Sequence, residues 1–141
     1  MAITSEATTL WFGSLFEGHG TTSLDSSDAA EFAVDWKARS EGVAGATTPE
    51  ELLGAAHSAC YSMAFSNALA KNGTPPESLQ VTAAVTFVPG TGITGSHLLV
   101  SAKIPGIDEQ TFQAIAEDAK STCPVSQALA GIPITLEASL A

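Results

Sequence analysis

The stretch TTPEELLGAAHSACYSMAFSNALAKNG, residues 47–73, is the clearest structural signal in this sequence. Its beginning is typical of a helix: Thr48 suits the N-cap, Pro49 suits the first helical position, and Glu51 completes a capping box. Its end carries Asn72-Gly73, which readily adopts the left-handed conformation that terminates helices. The stretch is therefore predicted to form one long helix.

The interior of this helix is small and nearly uncharged. Alanine and serine fill most of it, at Ala55, Ala56, Ser58, Ala59, Ser62, Ala64, Ser66, Ala68 and Ala70. A surface helix has one apolar stripe, whereas a helix that is apolar nearly all round is expected to be buried on most sides. Cys60 lies in the middle of this helix, where a cysteine usually serves as a small hydrophobic residue.

The composition indicates a single domain spanning residues 1–141 and suggests a cytoplasmic protein. A chain of 141 residues with 45% hydrophobic residues can fill one core. The net charge of −10 disfavours nucleic acid and anionic membranes as partners, because both attract clustered Lys and Arg. Neither a transmembrane helix nor a secretory signal is expected from the hydropathy pattern. Two cysteines do not form a disulfide scaffold, so we expect thiols unless they carry out redox chemistry.

Strand patterns flank the long helix on both sides. Alternating or β-branched segments predict three strands before it and three after it. These are residues 7–16, 21–24, 31–37, 79–88, 97–104 and 132–140. The fourth and fifth are expected to pair as a long antiparallel hairpin. Since strands cluster as hairpins instead of alternating with helices, the pattern favours an α+β fold with antiparallel sheets around the long helix.

A second helix is predicted between the hairpin and the last strand. Asp108 suits its N-cap, and the apolar residues that follow have helical spacing. The helix should stop near Cys123, because the residue before a proline disfavours the α conformation. Pro124 then begins a short helical turn. At such a break we expect the Cys123 side chain to be mobile or accessible.

A reactive thiol at position 60 needs an outside source of positive charge. The thiolate is the attacking form, and a free cysteine has a pKa of about 8.5. Cys60 lies about 16 Å along the helix from Pro49, too far for the helix dipole to lower its pKa. Arg39, expected at the end of the third strand, is the only arginine among five basic residues, and it is the best candidate for the cation.

Two separated motifs resemble one known family. Residues 49–64, PEELLGAAHSACYSMA, and residues 123–127, CPVSQ, closely resemble the OsmC/Ohr family, and residues 105–108, PGID, extend the resemblance. It covers essentially the whole chain. The resemblance implies an OsmC-like α+β fold and an intertwined homodimer with two active sites at its interface. It also implies a thiol-dependent peroxidase that reduces organic hydroperoxides in the response to oxidative and osmotic stress.

The resemblance also implies roles for four residues. Cys60 resembles the peroxidatic cysteine, Cys123 the resolving cysteine, Arg39 the active-site arginine and Glu50 the glutamate that pairs with this arginine. In the implied cycle Cys60 becomes a sulfenic acid and Cys123 converts it to a disulfide. An external dithiol, typically a lipoylated protein, then reduces the disulfide, and no cofactor or metal is required. Apolar residues near Cys60 either line a substrate pocket or pack in the core, and core packing is the commoner role for such residues. They are Tyr61, Met63 and Phe65, with Trp11 or Phe12 from the first strand.

Helix geometry restricts how these residues can meet. On one straight helix Glu50 and Cys60 are about 15 Å apart. We therefore expect either that Arg39 and Glu50 reach Cys60 across a dimer interface, or that the helix is broken between them. His57, one turn before Cys60, is interpreted as a packed or hydrogen-bonded histidine instead of the base for Cys60.

Two other functions remain open at this point. A thiol redox sensor would use the same cysteine pair without fast turnover, and a non-catalytic stress protein would leave both cysteines inert. No zinc site is expected, because the sequence has no C-x-x-C or H-x-x-x-H pair.

Overall fold

The computed structural model describes residues 1–141. The chain divides into two compact units, Met1–Pro49 and Glu50–Ala141. The expectation of a single domain stays a prediction.

The first unit is a small antiparallel sheet followed by a short helix. Its elements are β1 (Thr8–Phe12), β2 (His19–Ser23), β3 (Glu31–Val34) and α1 (Trp36–Glu41). The three predicted strands are confirmed, and they are hydrogen-bonded in the order β1-β2-β3. After α1 the chain returns to this sheet, because the Thr47 N–H donates to the Ala33 carbonyl at 2.8 Å.

The third predicted strand ends earlier than its alternating pattern indicated. Residues 36 and 37, and Arg39 beyond them, belong to α1 and not to a strand or its end. Asp35 is the physical reason, because its carboxylate accepts a hydrogen bond from the Ala38 N–H at 2.6 Å and caps the helix. Gly42 then ends the helix in the left-handed conformation, with φ of 69°.

The second unit contains the long helix and a second sheet. Its elements are α2 (Pro49–Lys71), β4 (Ser78–Val88), β5 (Gly92–Lys103), α3 (Glu109–Thr122), α4 (Pro124–Ala128) and β6 (Ile134–Leu140). The predicted long helix and hairpin are confirmed. Asp108 caps α3 as predicted, with its carboxylate 2.9 Å from the Thr111 N–H.

The last strand departs from the expectation of a wholly antiparallel sheet. The strand order is β4-β5-β6, and β6 runs parallel to β5. The connection explains the direction, since a parallel neighbour requires a long crossover and α3 and α4 provide it. Apolar residues alternate in the same way in parallel and antiparallel strands, so the sequence pattern did not predict the direction of β6.

One face of α2 is buried within the chain. The buried residues recur every three or four positions, at Glu50, Gly54, His57, Tyr61, Phe65 and Leu69. The opposite face is exposed, and Met63 on it has 73% of its surface accessible. Burial of that second face stays a prediction that requires a partner.

Aromatic contacts fix α2 against α3. The Tyr61 hydroxyl donates to the Ala116 carbonyl at 2.9 Å, and the rings of Phe65 and Phe112 are 5.9 Å apart. All four residues are fully buried. None of the helices is both long enough and apolar enough to span a membrane.

The packing of α2 on β4 leaves no room for a side chain at Gly54. A Cβ at this position would lie 2.8 Å from the Ala83 carbonyl oxygen. We expect Gly54→Ala to lower the free energy of unfolding by about 1–3 kcal/mol, because the backbone of α2 or β4 must shift to make room for the added methyl group. This cost exceeds the gain from the higher helix propensity of alanine. Urea denaturation measures this. Gly131→Ala is the matched control, since its added methyl meets nothing within 4 Å. Equal stability of the two variants would contradict the close packing.

Candidate active site

The structure brings Cys60 and Cys123 together within one chain. Cys60 lies on α2 and is partly exposed, whereas Cys123 lies between α3 and α4 and is fully buried. Both are free thiols, and they lie near enough for each to influence the pKa of the other. Of the four predicted site residues, these two form a pair that can exchange bonds directly.

The expectation of a mobile or accessible Cys123 side chain is wrong. The residue is fully buried, and its backbone is hydrogen-bonded on both sides. The predicted helix break is confirmed, with Pro124 at the first position of α4. However, the Cys123 N–H donates to the Ala119 carbonyl, and its own carbonyl accepts from the Gln127 N–H, both at 3.0 Å. The break before a proline sets the backbone conformation, and the packing of Tyr61 and its neighbours decides the burial.

The surroundings of the two thiols within the chain shift their pKa values in opposite directions. Burial raises the pKa of Cys60, and although the Val125 N–H favours its thiolate, the neighbouring Cys123 raises the pKa further. For Cys123 burial alone would raise the pKa, but hydrogen bonds from the Ser126 N–H, the Cys60 thiol and the Ser126 hydroxyl outweigh it and lower the pKa. Within a single chain, burial disfavours the Cys60 thiolate and hydrogen bonding favours the Cys123 thiolate.

His57 faces two serines and not Cys60. Its Nδ1 lies 2.7 Å from the Ser96 hydroxyl on β5, and its Nε2 lies 2.8 Å from the Ser126 hydroxyl on α4. All three side chains are buried, and burial lowers the pKa of His57 so that the neutral ring is favoured. The interpretation of a hydrogen-bonded histidine is confirmed.

Arg39 and Glu50 occupy helix ends. Arg39 lies in the last turn of α1, in the first compact unit. Glu50 lies in the first turn of α2 and is 6% exposed. Since α2 is continuous from Pro49 to Lys71, Glu50 and Cys60 of one chain are about 15 Å apart along its axis. The alternative of a broken helix is thus wrong.

Sequence reasoning missed Ser96 and Ser126, the two hydrogen-bond partners of His57. Ser126 lies inside the CPVSQ segment that carries the resemblance, and this motif could have marked it as a residue near the site. Ser96 precedes the predicted fifth strand by one residue, and nothing in the sequence indicates that it faces His57. No group of three or more His, Cys, Asp or Glu side chains is arranged to hold a metal ion.

The residues suggested for a substrate pocket separate into two classes. Tyr61 and Phe65 are fully buried and belong to the core. Met63 is exposed and borders an open hollow of about 620 Å³ on the far side of α2, which also includes Ser66, Asn67 and residues 76–79. Neither cysteine lines this hollow.

Comparison with known proteins places the chain in a family. Residues 41–137 match the family described as OsmC-like protein. Peroxiredoxin OsmC from Escherichia coli (strain K12) is 41% identical over 143 residues, with 99% of each chain covered. The chain belongs to the OsmC family. The resemblance stated from the two motifs is confirmed, and so is the enzyme class, peroxidase, at this level of similarity.

Solved structures of OsmC-family proteins share the fold. An organic hydroperoxide resistance protein from Elizabethkingia anophelis is 25% identical, with a TM-score of 0.69, and the match covers 100% of this chain and 97% of that one. An OsmC-like protein of unknown function from Vibrio cholerae is 16% identical, with a TM-score of 0.75 and coverage of 98% and 100%. The α+β fold class is therefore confirmed.

The coupling of the two thiols predicts how Cys60 titrates. Because Cys123 raises the pKa of Cys60, Cys123→Ala should lower the pH at which Cys60 becomes a thiolate. The rate of alkylation by iodoacetamide as a function of pH measures this midpoint, with Ser121→Ala as a control that keeps both cysteines. A midpoint that stays in place or rises in Cys123→Ala would show that the thiols are not coupled.

Proposed function

We propose that this OsmC-family chain reduces organic hydroperoxides to alcohols, with Cys60 as the peroxidatic and Cys123 as the resolving cysteine. The observation that carries the proposal is the pairing of these thiols with unequal exposure. A peroxide in solvent can reach the partly exposed Cys60 and cannot reach the buried Cys123. The names of the Escherichia coli and Elizabethkingia anophelis relatives support a peroxidase of organic hydroperoxides.

In the first step the Cys60 thiolate attacks the terminal oxygen of the hydroperoxide. A sulfur–oxygen bond forms, the oxygen–oxygen bond breaks, and the alkoxide takes a proton to leave as an alcohol. Cys60 is oxidised by two electrons to a sulfenic acid, and the peroxide is reduced by two.

In the second step the Cys123 sulfur attacks the Cys60 sulfur. The sulfur–sulfur bond forms, the sulfur–oxygen bond breaks, and the hydroxide takes a proton to leave as water. Because the two thiols already lie near each other in the reduced chain, the disulfide can form between them within one subunit. An external dithiol then restores both thiols by exchange, and we propose a lipoylated protein as this reductant on the strength of the resemblance.

Activation of Cys60 requires a group that the second unit does not supply. The surroundings of Cys60 in Glu50–Ala141 raise its pKa, so a cation must offset burial. We propose Arg39 for this role, with Glu50 orienting the guanidinium. Because α2 is unbroken, Glu50 cannot reach the Cys60 of its own chain, and we propose that Arg39 and Glu50 complete the site of a partner subunit.

An apolar surface supports a homodimer. On the exposed face of α2, Met63 is 73% accessible and is surrounded by small residues, including Ala56, Ala59 and Ala70. Exposed apolar patches of this kind commonly mark interfaces. In the first unit, Leu10, Phe12 and Phe16 also expose at least half of their surface. A symmetric dimer that covers these faces would bury α2 on most sides.

The two cysteine roles predict different failures. Cys60→Ser should lower turnover of cumene hydroperoxide with a dithiol by at least about 10³-fold, because the nucleophile is lost. Cys123→Ser should still form the sulfenic acid but no internal disulfide, as seen by mass spectrometry with a sulfenic-acid trap. A wild-type chain without turnover would overturn the peroxidase proposal, and slow stoichiometric oxidation alone would favour the redox sensor. Lack of any reaction at either cysteine would indicate a non-catalytic protein.

Mixed dimers test whether Arg39 acts on the partner subunit. Arg39→Gln should slow peroxide reduction by about 10²-fold, because the thiolate loses its cation. Purified heterodimers of an Arg39→Gln and a Cys60→Ser subunit should recover about half the wild-type rate, since one of two equivalent sites is then intact. Mixed dimers of Cys60→Ser with the double variant Cys60→Ser/Arg39→Gln serve as the inactive control. Heterodimers no more active than either parent would place Arg39 and Cys60 of one chain in the same site.

A further inference from the structure

Met63 is the one large apolar side chain that α2 exposes to solvent. It has 73% of its surface accessible, whereas the aromatic residues of the same helix, Tyr61 and Phe65, are fully buried. The exposed residues in the turn before it, Ala56 and Ala59, carry only a methyl group. The proposed cycle gives the Met63 side chain no task beyond its place in the dimer surface.

Met63 is also the residue of α2 best placed to extend an apolar group beside Cys60. Residues three or four positions apart on a helix are neighbours, with Cβ atoms about 5–6 Å apart. Cys60 has four such neighbours on α2: Ala56, His57, Met63 and Ala64. His57 is buried and bonded to two serines, and the two alanines are short. Met63 alone can therefore extend an apolar group along the surface.

The direction of helical side chains brings Met63 toward Cys60. Side chains on a helix point back toward its N-terminus and cover the preceding turn. The turn before Met63 carries Cys60, which is partly exposed at the edge of the core. Because α2 is continuous through both residues, they stay neighbours whatever covers this face in a dimer.

We propose that Met63 is the specificity-determining residue of the Cys60 site, where it contacts the alkyl or aryl group of the hydroperoxide while the terminal oxygen meets the Cys60 sulfur. The proposal rests on the proposed function, because it assigns the side chain that selects the peroxide. A methionine suits this role, since its thioether chain is flexible and polarisable and makes favourable contacts with aromatic rings. Hydrogen peroxide carries no such group and makes no such contact.

The hollow beyond Met63 leaves room for larger groups. Its volume of about 620 Å³ lies within the range of small-molecule sites, and Ala70, Pro76 and Leu79 add apolar surface to it. Ser62 and Met63 are the residues of α2 in this hollow that lie nearest to Cys60 along the helix. A group that extends from Cys60 over Met63 therefore enters the hollow.

Relative rates with two peroxides separate specificity from stability. We expect Met63→Ala to lower kcat/KM for cumene hydroperoxide by about tenfold, as loss of apolar contacts does, and to leave kcat/KM for hydrogen peroxide within about twofold of wild type. The smaller tert-butyl hydroperoxide should lose less than cumene hydroperoxide. A Met63→Ala variant that loses both activities equally, or neither, would overturn the proposal, since a weakened dimer or fold slows both peroxides alike.

Two further substitutions test the chemistry of the contact. Met63→Leu keeps an apolar side chain of similar volume and should retain the preference for cumene hydroperoxide within about threefold. Met63→Gln keeps the length of the side chain but ends in an amide, so it should lose the preference as Met63→Ala does. Full preference in Met63→Gln would contradict an apolar contact.

Leu99→Ala is the matched control. Leu99 is also an exposed apolar residue, 44% accessible, but it lies on β5 and not on α2. Its truncation should leave the ratio of the two kcat/KM values unchanged. A Leu99→Ala variant that changes this ratio as much as Met63→Ala does would show that the effect is not specific to position 63.

An NMR titration without peroxide tests the contact directly. The chain has two methionines, Met1 and Met63, so isotope labelling of methionine methyl groups gives two signals, which Met63→Leu assigns. Cumyl alcohol, the product of cumene hydroperoxide reduction, should shift the Met63 signal through its aromatic ring and leave the Met1 signal in place.

The two proposals fail in different ways. Wild-type protein that reduces no peroxide would overturn the proposed function, whatever the NMR titration shows. Protein that reduces cumene hydroperoxide, but whose Met63 signal stays in place or moves no more than the Met1 signal, would overturn the role of Met63 alone.

Discussion

The packing of α2 against α3 and α4 is the interaction on which the rest of the site depends. Neither cysteine is positioned by its neighbours in sequence. The Tyr61 hydroxyl bonded to Ala116 and the ring contact of Phe65 with Phe112 fix the register of the two helices. A one-residue slip of α2 would rotate Cys60 by about 100° and separate it from Cys123. The aromatic core therefore sets the distance between the thiols.

The same packing creates an electrostatic problem that divides the work between two cysteines. A buried thiol is slow to ionise, and burial raises the pKa of Cys60 even though it is partly exposed. Cys123 is the more deeply buried residue, yet hydrogen bonds from Ser126 and Cys60 lower its pKa. One sulfur is thus accessible but lacks a stabilising charge within the second unit, and the other is stabilised but inaccessible. In the proposed cycle a cation brought to Cys60 resolves the difference for peroxide attack, and hydrogen bonding at Cys123 serves the later step.

Most of the fold follows from local patterns in the sequence. The capping residues near Pro49 and at Asp108 located two helices, and the alternation of apolar residues located the β4–β5 hairpin. The short helix α1 was missed because three alternating residues cannot distinguish a strand from a strand followed by a helix, and the cap at Asp35 decides between them. The direction of β6 was also beyond the pattern, since the same side chains alternate in parallel and antiparallel strands.

The site was predictable only where chemistry and sequence motifs coincide. Cys60 and Cys123 stand in two motifs that resemble the family, so their pairing could be anticipated. The burial of Cys123 could not, because it depends on how distant helices pack.

The hydrogen bonds of His57 to Ser96 and Ser126 were unpredictable for the same reason. His57 and Ser96 are 39 residues apart, and His57 and Ser126 are 69 apart. Only the folded chain shows that they meet. A buried histidine with a partner on each nitrogen is costly to place and strictly oriented. The buried imidazole, held by a hydroxyl on each ring nitrogen, therefore joins α2 to β5 and α4 through contacts that no local sequence pattern encodes.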